Sequence, residues 1–180
     1  MRINYNNKNA MNKKSCQDER FFPPKIRNLF RELNSRQFIL FLEIAFDGTA
    51  YHGWQVQPNA DSVQDQINIC LSRLLRTEIF VQGAGRTDSG VHARQTYAHF
   101  DFENTIAEDF VNRCNSFLPN DIQIVGCSQV ELESHSRFDA ISRTYEYFIF
   151  NSKNPFYINK AFYFYKQLNL DLMNQAIPYL

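Results

Sequence analysis

The chain has 180 residues, 44% of them apolar, and its 19 Lys and Arg balance its 19 Asp and Glu. That length suits about one domain with a core of its own, and 17 Phe with nine Tyr predict an aromatic interior. No run of about 18 apolar residues occurs, so no membrane-spanning helix is expected; the N-terminus lacks an apolar signal-peptide core, which predicts a cytoplasmic protein.

Residues 1–36 carry nine Lys and Arg against three Asp and Glu, an excess of +6 that the remainder cancels. Their Asn- and Lys-rich start, Asn4 to Lys14, reads as a basic, disordered extension; the other reading is an arm that steers the chain to a phosphate backbone. From Gln37 to Phe46 the residues alternate and predict a strand, which Asp47-Gly48 ends. Asp61-Ser62 offers an N-cap to an amphipathic helix (Val63, Ile67, Cys70, Leu71, Leu74) that ends near Thr77. A short strand follows at Glu78–Gln82 and another at Gln95–Phe102. A second helix spans Ala107–Leu118 and is stopped by Pro119; a fourth strand spans Asp121–Val130.

This order, β-α-β-β-α-β, predicts a ferredoxin-like α+β domain over residues 37–135, an antiparallel sheet with both helices on one face. The other face would be free to hold a ligand. Arg143–Phe150 predicts a linking strand with Tyr145, Tyr147 and Ile149 on one side, a stripe that is more often core than binding site. Asn151–Tyr165 reads as an aromatic loop, and Leu170–Leu180 begins another helix. Cys16, Cys70, Cys114 and Cys127 lie far apart and the four His are scattered, so reduced thiols and no metal are expected.

The chemistry concentrates in Gly83-Ala84-Gly85-Arg86-Thr87-Asp88-Ser89-Gly90-Val91-His92. Three glycines let a backbone or ligand approach closely, and Arg86 and Asp88 could present opposite charges to one cleft. An adjacent cation would keep the carboxylate ionised. The alternatives are structural or of another class. An Asp in a glycine-rich turn often only caps backbone N–H groups. The dinucleotide fingerprint fails, because its third glycine position holds Asp88. Asp88-Ser89-Gly90 also spells the triplet of aspartic hydrolases, but Arg86 opposes the shared-proton pair those enzymes need.

The run Gly85-Arg86-Thr87-Asp88-Ser89-Gly90-Val91-His92 resembles the signature loop of the tRNA pseudouridine synthase A family, with Ser89 replacing Ala. Four further segments resemble the family in order: Asp47 to Gln55, Ser62-Val63-Gln64, Asn115 to Ile122 and Ser136 to Ala140. Thr144-Tyr145-Glu146-Tyr147 falls where the family has a Tyr-x-Tyr strand.

The resemblance implies isomerisation of uridine to pseudouridine at positions 38 to 40 of the tRNA anticodon stem-loop, without cofactor or metal. The target base would be flipped from its stack. Asp88 would be the catalytic carboxylate, with Arg86 filling the vacated stack or holding a phosphate and Tyr145 stacking on the uracil. His92, Arg94, His52 and Trp54 are lesser candidates for an RNA groove. The family has two ferredoxin-like halves, so residues 136–180 are expected to be a linking strand and the incomplete start of the second. The partner expected is tRNA, with a homodimer as a candidate assembly and no membrane. A catalytically incomplete RNA-binding remnant is the alternative, and an aspartic hydrolase a more distant one.

Overall fold

The structure is a computed structural model that describes residues 38–179. The basic extension, residues 1–36, and the expected first strand residue Gln37 lie outside the described residues. The described chain divides into two compact units, residues 38–141 and 142–179, each taken by itself below.

In the first unit the organising element is β1, Phe38–Phe46, whose alternation buries Leu40, Leu42, Ile44 and Phe46 because successive side chains point to opposite faces. It pairs antiparallel with β3 (Ala93–Phe102) on one side and β4 (Ile122–Val130) on the other, with Leu42 opposite Ala98 and Cys127. A two-residue strand, β2 (Gln82–Gly83), joins the outer side of β3, giving a four-stranded antiparallel sheet in the order β2-β3-β1-β4. Opposite Glu43 and Ile44 the register on β4 jumps from Gly126 to Ile124, and the extra residue, Val125, is exposed. Such a bulge shifts the strand's phase by one residue, so Ile124 and Cys127 both serve the core.

Two helices supply the other half of that core. Helix α1, Val63–Leu75, starts where the Ser62 hydroxyl accepts the Asp65 N–H at 3.3 Å and ends at Arg76, in the left-handed region with φ 57°. Its Val63, Ile67, Cys70 and Leu71 are fully buried, the spacing of one helical face. Helix α2, Phe110–Phe117, buries Phe110 and Cys114 and stops at Leu118, which Pro119 holds extended. Both helices share one cluster with the even-numbered residues of β1, so both lie on the same side of the sheet. Burying one such Leu or Ile is worth about 1.5–3 kcal/mol.

The expected strand over Glu78–Gln82 forms a ladder only at its last residue. Ile79 and Val81 are buried nonetheless, because α1 side chains take over their backbone bonding. The Ile79 N–H donates to Ser72 Oγ at 2.9 Å and the Val81 N–H to Asn68 Oδ1 at 2.9 Å. Helix α2 begins three residues later than expected, after a turn in which the Phe110 N–H donates to the Ala107 carbonyl.

The second unit contains β5 (Ile149–Phe150), parallel to β6 (Phe162–Tyr163), and a seven-residue helix α3 (Leu170–Ala176). The strand expected over Arg143–Phe150 is thus only two residues long. Backbone bonding reaches Phe148 and Phe150, through the N–H groups of Phe162 and Phe164, and no ladder partner extends along residues 143–147 among the described residues. Tyr145 and Tyr147 are correspondingly exposed, not core. Helix α3 is capped by Asn169, whose Oδ1 accepts the Leu172 N–H at 3.0 Å. Among the described residues no helix is long and apolar enough to cross a membrane.

Candidate active site

The loop between β2 and β3 carries Asp88, and backbone bonds shape it. The Val91 N–H closes a turn on the Asp88 carbonyl at 3.2 Å. Gly90 stands third in that turn with φ +76°, the place that type II turns reserve for glycine. The turn is fastened to the segment after β1: the Gly90 N–H (3.2 Å) and the Ser89 hydroxyl (3.3 Å) both donate to the Tyr51 carbonyl. On the other flank the Trp54 N–H donates to the Thr87 carbonyl at 3.2 Å.

Because the backbone closes the turn, the Asp88 side chain is spared that task. Its carboxylate caps no backbone N–H among the described residues, and the residue is exposed. Arg86 is exposed as well, and no ion pair joins it to Asp88 among the described residues. The direct charge pairing expected from their spacing is therefore not formed. Two apart on an open loop, each side chain keeps its hydration, and an exposed pair gains only about 0–1 kcal/mol to offset the loss of side-chain freedom. The Thr87 hydroxyl between them is shut off from solvent with no hydrogen-bond partner among the described residues.

The lesser candidates separate. His92 anchors the far end of the loop: its Nδ1 lies 3.0 Å from the Gly48 N, which donates to it, and 2.8 Å from Asp47 Oδ1. Arg94 is exposed in the stretch of β3 where the register against Ile44 and Phe46 shifts. His52 is exposed next to Tyr51 in the chain, its N–H bonded to the Asp61 carbonyl. Trp54 differs from the expectation. It is only 3% exposed, packed near Phe46 (6.1 Å between ring centroids), and a side chain on Gly83 would run into its indole. Its ring supports the loop from beneath and does not line a solvent-facing groove. Tyr145 lies in the second unit and is 44% exposed.

Residues to which the sequence assigned no role turn out to hold this arrangement. Tyr51 is buried, and its hydroxyl donates to Asp121 Oδ1 at 2.6 Å. Burial raises the Tyr51 pKa well above that of a free phenol, and the bond to the Asp121 carboxylate raises it further. Gln64 bridges two segments: its Nε2 donates to the Val81 carbonyl at 2.7 Å and its Oε1 accepts the Val56 N–H at 2.9 Å. Asn115 grips Ile124 on β4 with both ends of its amide, each at 2.8 Å. Tyr51, Gln64, Asn115 and Asp121 all fall inside the segments that carry the family resemblance; membership in those segments was the available signal. Among the described residues no group of three or more His, Cys, Asp or Glu is placed to hold a metal ion.

No protein-family model matches the chain. Among curated proteins it is 47% identical over 137 residues to tRNA pseudouridine synthase A of Azobacteroides pseudotrichonymphae, covering 76% of this chain and 55% of that protein. It is 44% identical over 137 residues to the protein of that name from Bacteroides thetaiotaomicron, covering 76% of this chain and 51% of the relative. For the Porphyromonas gingivalis protein of the same name the identity is 43% over 143 residues, 78% of this chain and 57% of the relative. The chain thus spans about half the length of the curated relatives it matches. Over these matched residues the chain is similar to proteins named tRNA pseudouridine synthase A, at 43–47% identity.

Proposed function

We propose that this chain carries the catalytic loop of a tRNA pseudouridine synthase and that Asp88 is its catalytic carboxylate. The observation that carries the reading is an exposed Asp on a turn closed entirely by backbone bonds, in a chain whose relatives bear that name. In this reading the sheet order β2-β3-β1-β4, with both helices against one face, is the ferredoxin-like arrangement.

The reaction breaks the bond from ribose C1′ to uracil N1 and forms one from C1′ to C5; the C5 proton is released to solvent and the freed N1 takes up a proton in its place. A free carboxylate serves either opening step, attack on the sugar or base, or removal of a ribose proton. Extruding the target base from the stack costs a few kcal/mol. Arg86, exposed and two residues from Asp88, suits the vacated stack or a phosphate, and stacking of Tyr145 on the base would return about 1–3 kcal/mol. Uridines 38 to 40 of the anticodon stem-loop, a homodimer and a cytoplasmic location belong to the same proposal, as does a groove lined by His92, Arg94 and His52.

The test is tritium release from unmodified tRNA labelled at uracil C5, incubated with the full chain. Release that Asp88→Asn abolishes, with the unfolding midpoint unchanged, supports the assignment; release undiminished in that variant overturns it. Binding of tRNA without release would instead identify a non-catalytic RNA-binding protein.

A further inference from the structure

On the sheet face away from the helices, the turn Glu131–Asp139 is fastened to the strands beneath the catalytic loop by two buried polar residues, His99 and Ser136, each only 4% exposed. Ser136 Oγ lies 2.8 Å from His99 Nδ1 and donates to the Gln82 carbonyl at 2.9 Å. The Ser136 N–H donates to the same Nδ1 at 3.3 Å. A hydroxyl has one proton to give. With Nδ1 accepting from the Ser136 N–H, the single hydroxyl proton lies between two acceptors, His99 Nδ1 and the Gln82 carbonyl. Through its N–H and its hydroxyl, Ser136 thus ties both His99 Nδ1 and the Gln82 carbonyl to the turn.

The imidazole is held in orientation from several sides. His135 meets it edge-on at 4.4 Å between centroids, Phe41 lies 5.7 Å away, and Phe138 stacks behind His135 at 4.2 Å. The His135 N–H in turn donates to Asp139 Oδ2 at 2.6 Å, which fixes the turn itself. Gln82 is the ladder partner of His99 and the last residue before the glycine loop begins. The next bond along, from the Ala84 N–H to the Tyr97 carbonyl at 2.7 Å, is the last strand-like bond before Asp88.

We propose that His99 and Ser136 are positioning residues, a hydrogen-bonded clasp that pins the Glu131–Asp139 turn to Gln82 and so fixes the root of the loop that presents Asp88. The importance of the loop rests on the function proposed above; the clasp itself does not. β2 has only two ladder residues, too few to hold a loop root alone, and the clasp adds side-chain bonding where the ladder ends. What matters in Ser136 is its hydroxyl, which bridges His99 and Gln82, and not its volume.

Amide hydrogen exchange of the full chain tests this without any turnover. In Ser136→Ala, His99 Nδ1 and the Gln82 carbonyl lose the hydroxyl that bridges them, and the Ala84 and Gly90 amides should exchange on the order of tenfold faster. The Leu118 amide, bonded within the α2 cap, should be unchanged. Ser136→Thr keeps the hydroxyl and should restore slow exchange at Ala84; Ser136→Cys, a poorer donor and acceptor, should lie between and serves if the Ala variant does not fold. Unchanged exchange at Ala84, equal acceleration at Leu118, or failure of Thr to rescue would each overturn the clasp. Failure of tritium release in the wild type would overturn the function and leave this result standing.

Discussion

The carbonyl oxygen of Thr87 occupies the space where a side chain on Gly53 would begin, and Gly53 itself has φ +90°. The two residues stand 34 positions apart, yet the backbone of one is moulded on the backbone of the other, one residue before Asp88. Gly53→Ala meets two penalties: a left-handed backbone unfavourable for L-residues by about 1–2 kcal/mol and an overpacking cost of about 1–3 kcal/mol. It should lower the unfolding free energy by at least about 2 kcal/mol in urea and displace the Asp88 loop. Tritium release would then fall even though every candidate catalytic side chain is retained.

The bond from Tyr51 to Asp121 links the chain after β1 to the start of β4. Tyr51→Phe removes a hydrogen bond to a carboxylate and should cost about 1.5–3 kcal/mol at neutral pH. The pH sign follows from the raised phenol pKa. The unfolded chain releases the phenolic proton near pH 10 while the folded chain holds it, so stability is full below pH 10 and falls as pH rises above it. Urea midpoints between pH 9 and 11 should decline in the wild type and decline less in Tyr51→Phe.

His99 titrates in the opposite sense. Burial, and then the neighbouring His135, push its pKa below the ordinary 6.5, against the smaller pull of Asp101 and Asp139. The neutral imidazole is therefore the folded form, and the unfolded chain takes up the proton first. Its contribution to stability is intact above pH 6.5 and is lost as pH falls below that value. A nuclear magnetic resonance titration should find the His99 ring changing state below pH 6.5. A His99 midpoint at or above 6.5 would contradict the burial argument.

Thr87 carries a buried hydroxyl without a partner among the described residues. A buried polar group left unbonded is costly, so the isosteric Thr87→Val should leave the urea midpoint unchanged or raise stability by up to about 1 kcal/mol. A loss greater than about 1 kcal/mol would mean that the hydroxyl has a partner in solution. If the valine variant also keeps full tritium release, the hydroxyl has no part in the reaction.

Much of the sheet-and-helix frame could be read from the chain. Periodicity found β1 and α1, the Ser62 cap and the stop before Pro119, because burying one face of an element imposes its period on the sequence. It overran at Glu78–Val81 and at Arg143–Phe148, where apolar and aromatic alternation is present but strand pairing is not. Alternation reports which side of a segment is buried; it does not report whether a neighbouring strand is there to bond with. At Ile79 and Val81 the bonding partners are Ser72 and Asn68 of a helix, which no pattern within the segment could reveal.

The order of elements, the glycine-rich loop and the family that its motifs resemble were legible in the residues alone, since these depend on residue type and local spacing. Folding in three dimensions settled that Trp54 supports the loop from within, that Arg86 and Asp88 are exposed with no ion pair between them among the described residues, and that Tyr51 reaches Asp121 across 70 positions. Hydrogen bonds act over about 3 Å of space and carry no memory of chain separation. Their partners emerge only when the sheet has brought distant segments together.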